Sequence, residues 1–134
     1  MRNIKFRAWD INEKRMMPSF TMFDISDVGI QGWPSHIVFM KDHYDLMEYT
    51  GRKDKNKQEL YESDIIKCNS YDEHGNAGKI IGEIYWDQSE CAWAIYSRHS
   101  EVGMGTKKGL FLSWAKNIEL LGNKYQNPDL QEDY

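Results

Sequence analysis

Apolar positions along this chain recur with a period of two far more often than with a period near 3.6. Residues 4–9 place Ile4, Phe6 and Ala8 on one face and Lys5, Arg7 and Trp9 on the other, the pattern of a half-buried strand. Residues 10–14 supply turn chemistry and residues 15–17 return, so an N-terminal hairpin is expected, ended by Pro18. Ser26, Gly29, Gly32 and Pro34 interrupt residues 19–34, which read as irregular. Strands are expected at 36–40, 44–50, 65–68, 79–86, 91–96 and 117–121, with 58–62 and 110–114 readable as strand or helical turn. Gly82 inside its strand points to a bulge or sharp bend. Residues 87–90 form a four-residue hairpin loop, after which Cys91, Trp93 and Ile95 share a face, making Cys91 a core thiol. Residues 51–57 and 97–109 read as loops, 69–78 as a loop or long hairpin tip, and Asn127-Pro128 as the start of a short helix.

No stretch keeps helical periodicity over a dozen residues, so the fold class is mainly β. The 134 residues suffice for one domain with a real core. No run of about eighteen apolar residues exists, and the first residues lack the apolar segment of a secretory signal, which places the protein in a cytosol without membrane contact. Cys68 and Cys91 are then expected as reduced thiols. Basic and acidic side chains balance up to Lys67, and the net charge of −4 falls on the remainder. An acidic chain is a poor default for nonspecific DNA binding.

The candidate chemistry is sparse. No phosphate-cradling loop, C-x-x-C, H-x-x-x-H or G-x-S-x-G occurs, and residues 54–59 lack the glycine and spacing of a calcium loop. His36, His43, His74 and His99 are scattered, and in Asp42-His43-Tyr44-Asp45 adjacent residues of a strand face opposite ways. Glu59, Glu62 and Asp64 cluster without the pattern of a nuclease metal site. No catalytic residue, metal or cofactor is expected, and no enzymatic activity. Two features stand out. Arg52, Lys53, Lys55 and Lys57 form a basic run flanked by Tyr49 and Tyr61, a combination that on a small barrel holds single-stranded nucleic acid through phosphate contacts and stacking. The five tryptophans and eight tyrosines exceed what a small core needs, and the Lys5, Arg7, Trp9 face of the first strand suits a subunit contact.

Three phrases taken together resemble a known family. They are Ile4-Lys5-Phe6-Arg7-Ala8-Trp9-Asp10, then the segment from Leu46 through Glu48-Tyr49-Thr50-Gly51 to Asp64-Ile65-Ile66, and Glu119-Leu120-Leu121-Gly122-Asn123 running on to Leu130. In this order and spacing they are similar to the YopX family of phage and prophage proteins. The resemblance implies an SH3-like, small, partly open β-barrel, homo-oligomeric assembly, and no established activity. With the strand reading it divides one domain into an N-terminal hairpin and irregular insertion (1–44), a β core (45–125) and a short tail (126–134). Two positions depart from the family pattern. Asn56-Lys57 stands where Asn-Gly is frequent, which calls for a longer or different turn. Ser63 stands where glycine is frequent, and an ordinary backbone is expected there. The expected function is a non-enzymatic macromolecular binding module that self-associates in a bacterial host cytosol. Its partner is itself or a host or phage protein, and nucleic acid is the alternative partner.

Overall fold

A computed structural model of the chain describes residues 3–26, 29–31, 33, 43–71, 75, 77–97 and 109–133. The alternation in the N-terminal segment becomes β1 (Phe6–Asp10), and its return is β2 (Arg15–Met16). The Asp10 carboxylate closes the turn between them by accepting from the Asn12 and Glu13 backbone N–H groups, each at 3.0 Å. A 3₁₀ turn (Met22–Asp24) and a small hairpin, β3 (Ile25–Ser26) with β4 (Gly29–Ile30), occupy part of the segment read as irregular. The strand expected at 36–40 lies outside the described residues.

β5 (Tyr44–Lys53) runs ten residues, antiparallel to β1 from Asp10↔Tyr44 to Phe6↔Glu48. Beyond that point it pairs with β6 (Glu59–Tyr61), giving a four-stranded sheet in the order β2-β1-β5-β6. β5 and β6, expected to open the barrel core at residue 45, therefore belong to the sheet of the N-terminal hairpin. The register shifts between Tyr49 and Lys53, where Gly51 adopts φ +86° and bulges the strand, so residues 51–53 are strand and not loop.

The remaining strands form a curled five-stranded antiparallel sheet in the order β10-β9-β8-β7-β11. They are β7 (Asp64–Tyr71), β8 (Ala77–Asp87), β9 (Ala92–Tyr96), β10 (Gly109–Phe111) and β11 (Lys116–Asn123). β7 and β8 stay paired out to Tyr71↔Ala77, so of the two readings of 69–78 the long hairpin describes the paired residues. A 3₁₀ turn (Leu112–Trp114) follows β10, and another (Pro128–Asp133) follows Asn127. The mainly β class and the curled sheet accord with the sequence pattern.

Three further readings are corrected. Gly82 causes no bulge: it sits in unbroken register opposite Ile66, and a Cβ there would collide with the Tyr96 carbonyl and the Ile95 side chain. Glycine is present because β9 passes too close for a side chain. Cys91 is not in the core. It is exposed in the β8–β9 turn at φ +50°, and Cys68 is the buried thiol. Ser63 is not in an ordinary backbone but at φ +74°, the left-handed region in which glycine is easiest.

The largest core lines the curled sheet: Ile66, Cys68, Ile80, Ile84, Ile95, Leu110, Leu112 and Ile118, joined by Leu60 from β6. The first sheet carries one cluster on each face. Ala8, Met17, Phe20, Trp33 and Tyr44 form one, and Met47, Tyr49 and Tyr61, with Trp9, Met16 and Tyr125 against them, form the other. The two sheets meet where the chain crosses from β6 to β7. There the Arg7 guanidinium from β1 donates to the Asp64 carboxylate at 2.5 Å, and the other Asp64 oxygen accepts from the Tyr61 N–H at 2.8 Å. Asp64 is fully buried and Arg7 nearly so.

Two substitutions test these tight points. Gly82→Ala is expected to lower stability by about 1–3 kcal/mol through overpacking, read as a lower denaturant midpoint at unchanged slope. Arg7→Ala strands a buried carboxylate and is expected to be worse, by about 3–5 kcal/mol. A midpoint within error of the parent in either variant would contradict the packing described.

Candidate functional site

Strand lengths in the second sheet leave one hairpin end overhanging. β7 begins at Asp64, and its pairing with β8 reaches only Ile65↔Glu83, while β8 runs on to Asp87 against β9. On the other side, β10 pairs with β9 only as far as Ala94. The end of the β8–β9 hairpin is thus two strands wide, and Trp86 and Trp93 lie opposite each other on it. Alternation puts them on the faces of Ile84 and Ile95, so they continue the apolar surface of the core out into solvent. Their rings meet edge to face at 5.2 Å. Trp86 remains 41% exposed, and its indole N–H donates to the Gln88 side chain at 3.0 Å.

β5 stands across from this end. Together with the β6–β7 turn and Asn3, three positions before β1, it closes a groove of about 470 Å³ lined by Asn3, Glu48, Tyr49, Thr50, Gly51, Glu62, Trp86 and Trp93. Thr50 is held by donating to the Leu60 carbonyl at 2.8 Å. Glu62 is anchored by its own N–H to the Glu48 carbonyl at 3.0 Å. Burial raises the Glu62 carboxyl above its usual range; Lys124 opposes the shift and the Glu48 charge adds to it. Burial likewise raises Glu83, again against Lys124.

The residues singled out from the sequence are placed differently. Tyr49 and Tyr61 are buried, 7% and 5% exposed, with ring centroids 5.5 Å apart. Packed in this way, with Lys5 over Tyr49 and Arg7 over Tyr61, they do not offer the open faces that base stacking requires. Arg52 is committed to the Leu112 and Ala115 carbonyls, and Lys55 lies 3.6 Å from Glu119. Lys53 and Lys57 are exposed and make no ion pair among the described residues. The tip they flank is built by Asp54, buried at 6%, which accepts from the Asn56, Gln58 and Leu120 N–H groups. Lys57 closes this turn at φ +66°, taking the left-handed conformation in the family's glycine position. On the face expected to meet a second subunit, Lys5 binds Glu59 at 2.5 Å, Arg7 binds Asp64, and Trp9 stacks on Tyr125 at 5.5 Å. The acidic trio Glu59, Glu62 and Asp64 is therefore split among Lys5, the groove and Arg7.

Sequence reasoning passed over Glu48 and Glu62 as groove residues and did not single out Trp86 and Trp93 among the aromatic residues in excess of a small core. One signal was available. The two tryptophans stand symmetrically about the 87–92 turn, which predicts a cross-strand pair near a hairpin end.

The family described as YopX protein matches residues 5–132. Among solved structures, the chain is similar to protein EF1440 from Enterococcus faecalis, with a TM-score of 0.54 and 25% identity over 97% of this chain and 99% of that one. No curated protein matches the chain with significance. No helix among the described residues is long and apolar enough to cross a membrane.

Asp54 makes the basic tip sensitive to acid. Burial pushes its carboxyl up, but the N–H groups of Gln58, Leu120 and Asn56 outweigh it and hold the carboxyl below its usual range. A carboxyl depressed in the native state contributes stability that is present above its unfolded value, near pH ~4, and is lost as pH falls through the native value. Asp54→Asn is expected to be less stable than the parent at neutral pH and to lose less on acidification below about pH 4. Parallel stability–pH curves for the two proteins would refute this role.

Proposed function

The chain belongs to the YopX family, and on that premise we propose that it is a non-enzymatic binding module whose groove between β5 and the β8–β9 hairpin end receives a segment of another protein. The observation that carries the reading is the Trp86–Trp93 pair, held in fixed geometry at the mouth of the groove with Trp86 41% exposed. Large aromatics fixed by their neighbours and left open to solvent are the usual anchors of protein recognition, because they bury much area and lose little freedom on binding. A second feature points the same way. The Thr21–Asp24 capping box fixes a turn that presents Met22 and Phe23, the latter 98% exposed, with Ile25 beside them. Apolar side chains displayed on a fixed turn suit a protein contact.

The groove carries Glu48 and Glu62 and none of the four basic residues of the 52–57 tip, which favours a protein segment over nucleic acid. A second copy of this chain is one admissible partner. Support for a non-enzymatic role comes from the reactive groups. Asp64 and Glu59 are tied to Arg7 and Lys5, and burial pushes the Cys68 thiol up to about 11, away from nucleophilic use.

Selection from a displayed library of protein fragments tests the reading. Segments enriched on the parent are expected to bind Trp86→Ala at least about thirtyfold more weakly, the scale of a lost aromatic hot spot. Thermal unfolding should confirm that the variant is folded. Enrichment unaffected by Trp86→Ala would remove the groove as the binding site.

A further inference from the structure

Resting on that reading, we infer that the partner's segment enters the groove as an added β-strand, bonded through its backbone to the edge of β8 at Trp86. Along a strand, the N–H and C=O of one residue point to one side and those of the next residue to the other. The Ser63 N–H donates to the Ile84 carbonyl at 2.9 Å, so the backbone groups of Ile84 face the β7 side. Two residues on, those of Trp86 face the same side. Counting on from the pair Ile65↔Glu83, the residue that falls opposite Trp86 is Glu62. Glu62 does not complete that pair. Ser63, at φ +74°, turns the chain away, and the Glu62 N–H donates to the Glu48 carbonyl at 3.0 Å. Among the described residues none replaces it: strand pairing on this side of β8 ends at Glu83, and the bond from Ser63 is the last. The groove lies at this point, with both Trp86 and Glu62 in its lining.

The backbone at Trp86 decides which form of segment fits. A helical segment has already spent its own N–H and C=O groups. It would displace water from Trp86 and leave that backbone unpaired, which is costly. An extended segment supplies the missing partners, and strand addition to a sheet edge is an established mode of peptide recognition. Running antiparallel to β8, as β7 does, one of its residues exchanges both backbone bonds with Trp86. Side chains directly opposite each other in such a pair share a face. The side chain of that residue therefore lies beside the Trp86 ring, which meets Trp93 on its other flank at 5.2 Å. A β-branched or aromatic residue suits the position, and proline, which has no N–H to donate, is excluded from it. The overhang is short, so the backbone bonds and the aromatic contact act together.

Amide hydrogen exchange of the full chain, read residue by residue, tests the edge. In the free protein the Trp86 backbone N–H is expected to exchange at least about tenfold faster than that of Tyr85, which faces β9 opposite Ala94. Equal protection of the two would overturn the assignment. Peptides synthesised from displayed fragments whose binding depends on Trp86 supply the second arm. At saturation the Trp86 amide should slow by at least about tenfold. Methylating the peptide's backbone nitrogens one at a time should weaken binding about tenfold or more at one position and much less at the positions on either side. An unchanged Trp86 amide, a peptide that binds as a helix, or indifference to methylation at every position would overturn strand addition and leave the protein-binding reading standing. Loss of the reading itself has a different signature, a displayed selection indifferent to Trp86→Ala.

Discussion

The Arg7–Asp64 ion pair is the point on which the architecture turns. It joins β1 of one sheet to the first residue of β7 in the other, across 57 positions of sequence. A buried pair of this kind adds little net stability compared with a well-packed apolar pair, yet either member alone is costly. Its contribution is therefore to position the chain, and three contacts nearby depend on it. The Tyr61 N–H reaches the second Asp64 oxygen, the Ser63 N–H reaches the Ile84 carbonyl at 2.9 Å, and the Lys124 N–H reaches the Ser63 carbonyl at 3.2 Å. The crossing from β6 to β7 is thereby fixed against β8 and the C-terminal segment together. Burial raises the Asp64 carboxyl above its usual range even with Arg7 beside it.

Everything at the groove follows from that crossing. Because β7 starts at the ion pair, β8 and β9 run past it, and the overhang exposes what would otherwise be core. Because β5 leaves β1 for β6 at the same level, its residues Glu48–Gly51 come to face the overhang. The Gly51 bulge and the Asp54 turn then anchor the far end of β5 to β11, through Leu120 and through the Lys55 N–H to the Ile118 carbonyl at 2.8 Å. The groove is thus a product of unequal strand lengths, and its walls belong to two sheets that are bonded together on both sides of it.

Local patterns were legible in the sequence and long-range pairings were not. Period-two alternation located β1, β8 and β9 because each has one face on a core and one toward solvent. It failed at Cys91, since a turn residue continues the same alternation on paper, and only the left-handed backbone at that position takes it out of the strand. Gly82 was recognised as unusual, but a bulge and a close approach leave the same mark in one sequence. The basic run at 52–57 looked like a site because its neighbours Tyr49 and Tyr61 were visible and their burial was not. Lys5 and Arg7 read as a free face because their acidic partners are more than fifty residues away. The groove combines residues from four separate stretches of chain, so no local window could contain it.

The contrast between the two cysteines gives the molecule a chemical handle. Cys68 is sealed in the core with its thiol driven up to about 11, while Cys91 stands exposed at the hairpin tip, two residues from Trp93. A maleimide or a spin label will therefore modify one position only, in the turn of the hairpin that carries Trp86 and Trp93, without recourse to engineered sites. The native fold thus carries its own address for a fluorophore or paramagnetic reporter, on the same hairpin as the tryptophan pair.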